Sequence, residues 1–422
     1  MRLAFVDFMS RQFLVTLCIL LVPDVSLVAR IWTATSAPTN YWNAIACSAD
    51  GRMAVAVATL VSPYYSNSSV YISTNSGATW TPRLIFSNVI WGAVASSADG
   101  TKLVAAANGV IGVVGAPMYS SSDSGMTWAL NGAPLENWSS ITSSADGTRL
   151  AATIGFPNLG GIYTSTNSGA TWVQTSAPVQ TNWAAIASSA DGSKLAGASA
   201  NGVYYPNGQP HTNMGQIYVS TNGGATWTLT SAPSTNWHSV ASSADGTRLA
   251  AVVSPYGTSG PGPIYISTNS GLTWTKTSAP LADWWSICSS ADGLKLFAAS
   301  DPGPICASAN GGATWTYGVS EGQWSSIASS ADGSVAFATA PFSWIYRSRS
   351  VPQPRVGMSS AGANLTLSWT WPSTNFVLQY SAGPSSAWND VSTTPGLNLT
   401  TLEYQVVILP TNSQGFYRLQ SR

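Results

Sequence analysis

STNSGATW occupies residues 73–80, and five near copies of it follow along the chain. In every copy an Asn or Asp stands third, a Gly fifth and a Trp eighth. The Asn or Asp side chain can bond to nearby backbone amides, the Gly can adopt the left-handed conformation of a tight turn, and the Trp can pack between strands. The stretch therefore predicts a recurring hairpin turn with an aromatic wedge. Its third positions are Asn75, Asp123, Asn167, Asn222, Asn269 and Asn310.

A second stretch, WNAIACSADG from residue 42, alternates with the first and has seven copies. The intervals between the leading tryptophans run from 40 to 54 residues, which is the length of one four-stranded unit in a radial β array. No part of the repeat region shows the 3.6-residue periodicity of a helix. The sequence therefore predicts an all-β domain. The leading tryptophans are Trp42, Trp91, Trp138, Trp183, Trp237, Trp284 and Trp324.

The two ends of the repeat region complete each other. The seventh unit has three predicted strands and stops at Ser350, without the turn that would lead to a fourth strand. Residues 30–38, RIWTATSAP, match the fourth strand of the other units but have no first three strands before them. We expect the N-terminal strand to complete the last sheet. This predicts a closed seven-bladed β-propeller over residues 30–350, with no open sheet edge between its first and last units.

The pattern S/T-x-D/N-x-G-x-x-W resembles the Asp-box, also called the BNR repeat. Six copies, in register with seven SADG turns, cover residues 30–350. The chain is thus similar to the Asp-box β-propellers, which include sialidases, sortilin-type receptors, some xyloglucan-degrading enzymes and photosystem II assembly factors. The resemblance implies the propeller fold. It does not imply one activity, because function depends on the site rather than the fold.

The segments outside the repeats suggest an exported protein with a second domain. Arg2 and Arg11 precede ten apolar residues at 13–22, too few to span a bilayer, so residues 1–29 are predicted to be a secretory signal peptide. An uncleaved anchor is the alternative. The expected location is secreted or at the cell surface. Residues 351–356 are predicted to be a linker, and 357–422 resemble a small fibronectin-like β-sandwich.

Composition excludes several classes of function. Only 8% of the 422 residues are charged, with 16 basic and 16 acidic residues, so nucleic acid is not an expected partner. Cys47, Cys288 and Cys306 have no metal-binding spacing and are predicted to be small core residues. We expect no cofactor, no metal, no stable membrane span after signal cleavage, and a monomer.

Topology separates two faces of the predicted propeller. The turns after strands one and three of each blade, which hold SADG and the eight-residue turn, share what we call the structural face. The connections after strands two and four share the variable face, where ligand contact is expected. The connections after the second strands are residues 62–69, 108–117, 155–161, 201–215, 254–263, 301–304 and 341–343.

The residues do not fit a sialidase. Such a site would need three converging arginines, but Arg52, Arg149 and Arg248 follow the SADG turns and fall on the structural face. Another kind of glycoside hydrolase needs only two suitably placed carboxylates. The candidates on the variable face are Glu136, Asp283, Asp301 and Glu321. Solvated loop carboxylates are the other interpretation of these four residues.

Aromatic side chains on the variable face suggest recognition of a sugar or a protein. The leading hypothesis is an exported, non-catalytic recognition or scaffold propeller that binds a glycan or protein. A glycoside hydrolase is the alternative. The aromatic side chains are Tyr64, Tyr65, Phe156, Tyr204, Tyr205, Tyr256, Trp285 and Phe342. The residues predicted to bind ligand are Tyr204, Tyr205, His211, His238, Asp283, Trp285, Asp301 and Glu321.

Overall fold

The computed structural model describes two compact units, one of which is the repeat region at 30–350. The predicted signal peptide and linker, at 1–29 and 351–356, lie outside the described residues. In the repeat region the described residues are 30–59, 68–86, 88–110, 115–155, 159–179, 181–204, 211–213, 215–254, 260–319 and 321–350. In the C-terminal unit they are 357–361, 364–370, 376–381, 387–398, 403–408 and 416–421.

The repeat region is a ring of seven four-stranded antiparallel sheets, the blades. The first strands of neighbouring blades contact one another around the whole ring and are therefore innermost. Blades 1 to 3 consist of β2 (Trp42–Cys47), β3 (Ala54–Ala58), β4 (Ser68–Ser73) and β5 (Thr81–Phe86); β6 (Val89–Ser96), β7 (Leu103–Val110), β8 (Met118–Ser121) and β9 (Ala129–Leu130); and β10 (Trp138–Ser143), β11 (Leu150–Ile154), β12 (Ile162–Ser165) and β13 (Val173–Gln174).

The remaining blades repeat this order, with one inserted hairpin in blade 4. The hairpin pairs β16 (Gly202–Tyr204) with β17 (His211–Asn213). Blades 4 to 6 consist of β14 (Trp183–Ser188), β15 (Leu195–Ser199), β18 (Ile217–Ser220) and β19 (Thr228–Leu229); β20 (Trp237–Ser242), β21 (Leu249–Val253), β22 (Ile264–Ser267) and β23 (Thr275–Lys276); and β24 (Trp284–Ser289), β25 (Leu296–Ser300), β26 (Ile305–Ser308) and β27 (Thr316–Val319).

Blade 7 is closed by the N-terminal strand, as predicted. It consists of β28 (Ser326–Ser329), β29 (Val335–Thr339), β30 (Ile345–Ser350) and, outermost, β1 (Arg30–Ala34). The pairing runs antiparallel from Arg30 opposite Ser350 to Ala34 opposite Tyr346. The prediction of a seven-bladed ring closed by its first strand is therefore confirmed.

Arg30 fixes the closing strand β1 in place. Its guanidinium donates hydrogen bonds to the Ser348 hydroxyl and to the carbonyl oxygens of Gly333 and Ser334, at 2.8–3.0 Å. It also lies 4.5 Å from the centre of the Phe297 ring in blade 6. Burial lowers the pKa of Arg30 to about 10, so the side chain remains charged at neutral pH. One residue thus links β1 both to its own blade and to the neighbouring blade.

Seven backbone hydrogen bonds form a circuit on the structural face, which we call the alanine ring. The Ala of each SADG turn donates its N–H to the carbonyl oxygen of the corresponding Ala in the next blade, at 2.7–2.8 Å. The circuit closes because blade 7 donates to blade 1. Every member is both donor and acceptor, so the bonds run head to tail. The members are Ala49, Ala98, Ala145, Ala190, Ala244, Ala291 and Ala331.

The Asp carboxylate of each SADG turn accepts hydrogen bonds from residues of the same turn. In blade 3 the Ser144 hydroxyl donates to Asp146 at 2.5 Å, and the N–H and hydroxyl of Thr148 donate to the same carboxylate. These hydrogen bonds lower the pKa of Asp146 to about 2. Gly147 completes the turn with φ of +67°, a conformation that glycine adopts readily.

The eight-residue turns have the predicted hydrogen bonds. Asn75 Oδ1 accepts from the Thr79 N–H at 2.8 Å, and the Ser73 hydroxyl accepts from the Gly77 N–H at 2.8 Å. One feature was not predicted: the residue before the Gly is also left-handed, with φ of +57° at Ser76. Two successive left-handed residues thus make the turn.

The leading tryptophans form the core of the blades and are at most 2% exposed. Trp138 meets Tyr163 of its own third strand edge to face, with ring centres 5.6 Å apart, and Trp172 of its eight-residue turn at 6.2 Å. Such contacts stabilise aromatic pairs beyond simple burial. The predicted aromatic wedge is therefore present. Cys306 is also buried, while Cys47 and Cys288 are half-buried, and all three are free thiols.

A second contact between blades depends on residue size. The second residue after each SADG turn packs against the turn Gly of the next blade. Arg149 packs in this way against Gly192, and Arg248 against Gly293. A Cβ added at Gly311, in the eight-residue turn of blade 6, would lie 3.2 Å from Nη1 of Arg248. Gly223 has the same relation to Arg149, at 3.4 Å. The four other turns have Ser at this position and follow a blade with Lys, Met or Val.

We expect Gly311→Ser to lower the free energy of unfolding by about 1–2 kcal/mol, because the backbone at 311 is left-handed, with φ of +66°, and because the added side chain would crowd Arg248. The double variant Arg248→Lys/Gly311→Ser should recover the part of this loss that is due to Arg248, since Lys–Ser is the combination found between blades 4 and 5. Urea unfolding of the two single variants and the double variant measures the coupling. Strictly additive losses would contradict the size argument.

The C-terminal unit contains two antiparallel sheets. One has four strands in the order β31 (Gly357–Ala361), β32 (Asn364–Thr370), β36 (Glu403–Ile408) and β35 (Gly396–Asn398). The other has three, in the order β34 (Asn389–Asp390), β33 (Phe376–Ser381) and β37 (Phe416–Ser421). Leu367, Leu378 and Val406 are buried. Two sheets with buried apolar residues agree with the predicted small β-sandwich.

Candidate functional site

The connections predicted to share the variable face do come together. Residues that follow a second strand pair with residues that enter the next blade, as in the bridges Ala116 to Glu136, Gly160 to Thr181 and Gly262 to Ala282. In blade 7 the Asn40 N–H donates to the Ser343 carbonyl at 3.1 Å. These contacts bring the two kinds of variable connection to one side of the ring.

On the variable face, the connections between the second and third strands are shortest in blades 6 and 7. Their second and third strands are separated by only four residues (301–304) and five residues (340–344). The corresponding connection in blade 4 carries the β16–β17 hairpin, and that in blade 5 runs over ten residues, 254–263. Short connections expose the ends of the inner strands and the side chains around them. We refer to the variable face of blades 5 to 7 as the blade 5–7 sector.

His238 and Trp285 meet inside this sector. They occupy the second position of the first strands of blades 5 and 6, and their ring centres lie 4.3 Å apart. His238 Nδ1 lies 2.6 Å from the Trp285 carbonyl oxygen. Burial lowers the pKa of His238, although this hydrogen bond partly opposes the shift. The neutral imidazole therefore dominates at pH 7, and its ring forms an aromatic pair with Trp285.

Asp283 and Asp301 lie side by side, because the Asp301 N–H donates to the Asp283 carbonyl at 2.9 Å. The same backbone bond recurs in other blades between neutral residues, such as Ser254 with Asn236 and Ala200 with Asn182. Only blade 6 places two carboxylates there. Burial, and secondarily the charge of Asp283, raises the pKa of Asp301. Like charges at adjacent positions are unfavourable for folding, which is typical of functional sites.

Glu321 lies at the edge of the same sector. The next residue, Gly322, accepts a hydrogen bond from the Gly303 N–H at 2.8 Å, which places Glu321 close to the 301–304 connection. The Trp324 indole donates to the Gly303 carbonyl at 3.1 Å. Glu321 itself is exposed. The three candidate carboxylates that lie in consecutive connections of the sequence, Asp283, Asp301 and Glu321, are therefore in one part of the face.

The other predicted residues lie elsewhere or outside the described residues. Glu136 is bridged to Ala116 of blade 2, and burial raises its pKa. Tyr204 and His211 face each other across the blade 4 hairpin, and the structure describes only their backbone. Tyr205 is outside the described residues. The structure thus brings together His238, Trp285, Asp283, Asp301 and Glu321 and leaves Glu136 apart.

A group of aromatic residues lies where blade 7 meets blade 1, and we call it the aromatic seam. It consists of Phe342, which the sequence analysis placed on the variable face, and of Tyr41 and Trp344, which it did not single out. The Tyr41 and Phe342 rings are edge to face at 4.8 Å, and Phe342 and Trp344 are 52% and 45% exposed. A signal existed at Tyr41, because the residue before the leading Trp is Asn in three other units.

Four buried indole N–H groups have no hydrogen-bond partner among the described residues. They belong to Trp91, Trp138, Trp237 and Trp284. The equivalent Trp42, Trp183 and Trp324 donate to backbone carbonyls of variable-face residues, namely Ser343, Pro178 and Gly303. Unpaired donors thus lie beneath the variable face in blades 2, 3, 5 and 6, where a bound water or ligand oxygen could accept from them.

The structural face offers no comparable site. Arg149 and Arg248 pack against glycines of the next blade instead of converging, as the sequence predicted when it excluded a sialidase. The crevice lined by Arg248, Gly293 and Gly311 is too small for anything beyond a few water molecules. Across the described part of the chain, no cluster of His, Cys, Asp and Glu could hold a metal ion. No described segment forms a helix of the length and apolar character needed to cross a membrane.

Neither a protein-family model nor a curated protein matches this sequence. Solved structures do match it in fold. A GH74 xyloglucanase from Xanthomonas campestris has a TM-score of 0.57 at 14% identity, over 81% of this chain and 59% of the enzyme. YCF48 bound to D1 peptide has a TM-score of 0.54 at 16% identity, over 78% of this chain and 98% of YCF48.

Hydrazine synthase from Kuenenia stuttgartiensis has a TM-score of 0.53 at 13% identity, over 74% of this chain and 95% of that one. The chain is a seven-bladed β-propeller. At these identities the similarity extends to the fold alone. The propeller spans only 59% of the length of the xyloglucanase, so that enzyme contains protein with no counterpart here.

Proposed function

We propose that this propeller is an exported recognition protein that binds a glycan or a protein through its variable face without catalysing a reaction. The observation that carries the proposal is the blade 5–7 sector, where the His238–Trp285 aromatic pair lies two residues along the chain from the Asp283–Asp301 pair. Export rests on the predicted signal peptide at 1–29, and a retained anchor is the alternative. Surfaces that combine aromatic side chains with a few polar groups are typical of ligand sites.

The contrast between the two faces supports this assignment. On the structural face, Asp146, Asp191 and Asp245 are hydrogen-bonded within their turns, and the pKa of each is lowered to about 2. On the variable face, the pKa of Asp301 is raised by burial and by Asp283. A carboxylate that its own fold destabilises can gain hydrogen bonds from a ligand. The aspartates of the SADG turns already accept hydrogen bonds within their own turns, so a ligand would add little.

A glycoside hydrolase is the second candidate, and the Asp283–Asp301 pair favours it. A carboxyl group with a raised pKa can act as a general acid beside an ionised carboxylate. The neighbours in fold support both classes: one is a xyloglucanase by its description, and another is described with a bound peptide. We prefer recognition because charged groups on the variable face are few and no arginine clamp is present among the described residues.

The two candidate functions predict different products: a hydrolase releases reducing sugar from a polysaccharide, whereas a recognition protein binds the polysaccharide without releasing sugar. The full chain is passed over insoluble cellulose, xylan and chitin, and the retained fraction and released reducing sugar are both measured. We expect retention on at least one polysaccharide without release of sugar. Trp285→Ala should reduce retention about tenfold by removing the aromatic pair, whereas Tyr317→Ala should not, because Tyr317 is an exposed aromatic on an outer strand.

Release of reducing sugar that disappears in Asp301→Asn would overturn the non-catalytic proposal in favour of the hydrolase. Equal retention of the parent and the Trp285→Ala variant would remove the blade 5–7 sector as the site. Melting temperatures of all variants show whether the fold is intact.

A further inference from the structure

The aromatic seam combines two features that are unfavourable for folding. Phe342 has φ of +57°, a conformation that is strained for a large side chain. The residue is also 52% exposed, and Trp344 is 45% exposed, so much of the apolar area of both residues stays in water. Exposed aromatic groups on a strained turn are typical of binding sites rather than of structural ones.

The base of the aromatic seam is rigid. The Ser343 carbonyl accepts hydrogen bonds from the Asn40 N–H at 3.1 Å and from the Trp42 indole at 3.2 Å. Asn40, Trp42 and Ile345 are buried. The backbone that carries Phe342 and Trp344 is thus anchored to the core while the rings face outward. A rigid platform loses little conformational entropy on binding.

The chemistry around the seam favours a sugar over a protein surface. The bridge between Asn40 and Ser343 places Thr39 and Ser343 beside the rings, and their side chains provide hydroxyl groups and no charge. The exposed aliphatic side chains of the variable connections, Leu135, Val179 and Leu281, belong to the connections leading into blades 3, 4 and 6. A protein hot spot would need a surrounding apolar or charged patch, whereas a pyranose ring needs an aromatic face and neutral hydrogen-bonding groups.

We propose that the aromatic seam is a subsite for the pyranose rings of a neutral polysaccharide, a deepening that rests on the recognition function proposed above. The C–H face of a sugar ring lies against the electron-rich face of Trp344 or Phe342. Its hydroxyl groups exchange hydrogen bonds with the neutral side chains beside the rings. The seam then continues the binding surface from the blade 5–7 sector onto blade 1.

Glycine at position 342 separates binding from folding. Phe342→Gly removes the ring but suits the left-handed backbone, so we expect a melting temperature within about 3 °C of the parent. Affinity for cellohexaose, xylohexaose or chitohexaose, measured by tryptophan fluorescence and calorimetry, should fall about tenfold in Phe342→Gly and in Trp344→Ala. The matched control Tyr317→Ala removes an exposed aromatic on β27, the outer strand of blade 6, and should bind like the parent.

The outcomes separate this inference from the proposed function. If the parent binds a hexasaccharide and both seam variants bind equally well, the seam is not a subsite, and recognition through the blade 5–7 sector still stands. If the parent binds none of the three neutral hexasaccharides, this inference is overturned. Tighter binding of oligogalacturonate than of the neutral probes would also overturn it, because the proposed subsite offers no cation for a carboxylate.

Discussion

Replacing Arg30–Ala34 with a Gly-Ser sequence of equal length should abolish the folded monomer. The closing strand β1 pairs with β30 along its whole length, and Arg30 adds three hydrogen bonds and a contact with the Phe297 ring. At about 1 kcal/mol for each net hydrogen bond, with more for the charged donor, the loss exceeds about 5 kcal/mol. The variant would also leave β30 as an open sheet edge, which promotes association between chains.

The matched control is the same replacement of Thr275–Lys276, the outer strand of blade 5. Both residues are exposed. Their replacement bares the β22 edge over two residue pairs only and does not open the ring, because blade 5 remains covalently continuous with blade 6. Light scattering after size-exclusion chromatography should show aggregate for the β1 variant and monomer for the control. A monomeric β1 variant with the unfolding midpoint of the parent would show that the ring holds without its closing strand.

The repeats made most of the fold predictable, since each unit repeats the same local chemistry. Gly147 must follow Ser-Ala-Asp because the turn needs a left-handed residue there, and Trp138 must precede it to fill the blade core. Strand lengths were harder to predict, because the repeat does not show where pairing ends. The fourth strand of blade 5 is only two residues long, Thr275–Lys276. Residues beyond it turn to contact the next blade, where the Ser278 hydroxyl donates to the Ala313 carbonyl.

The candidate site was predictable only where it departs from the repeat. Asp283 replaces the Asn that three other units place before the leading Trp, and its neighbour Asp301 comes from the following connection. The sequence placed both on the variable face, but their pairing depends on a backbone bond between two connections. Trp344 lies in the short 340–344 turn, one residue before β30 begins, and is 45% exposed. The sequence pattern does not distinguish this position from the start of the strand.

The alanine ring explains why the SADG stretch recurs seven times with so little change. Strand pairing holds each blade together, whereas contacts between blades must be made by the innermost strands and their turns. The turn supplies one donor and one acceptor per blade in a fixed direction. The repeat therefore encodes the joint between blades as well as the turn.

Ala190→Pro tests the alanine ring at one bond. Ala190 is the second residue of a turn closed by the Gly192 N–H on the Ser189 carbonyl at 3.0 Å, a position that favours proline. The local turn should tolerate the change, but the donor to Ala244, now at 2.7 Å, is lost and the proline ring displaces that carbonyl. We expect the free energy of unfolding to fall by about 3 kcal/mol in urea, with faster amide exchange in blades 4 and 5. Ala190→Ser keeps the N–H and should change stability by less than about 1 kcal/mol. Equal stability of the two variants would mean that the ring bond contributes nothing to the joint between blades, which would then depend on side-chain packing alone.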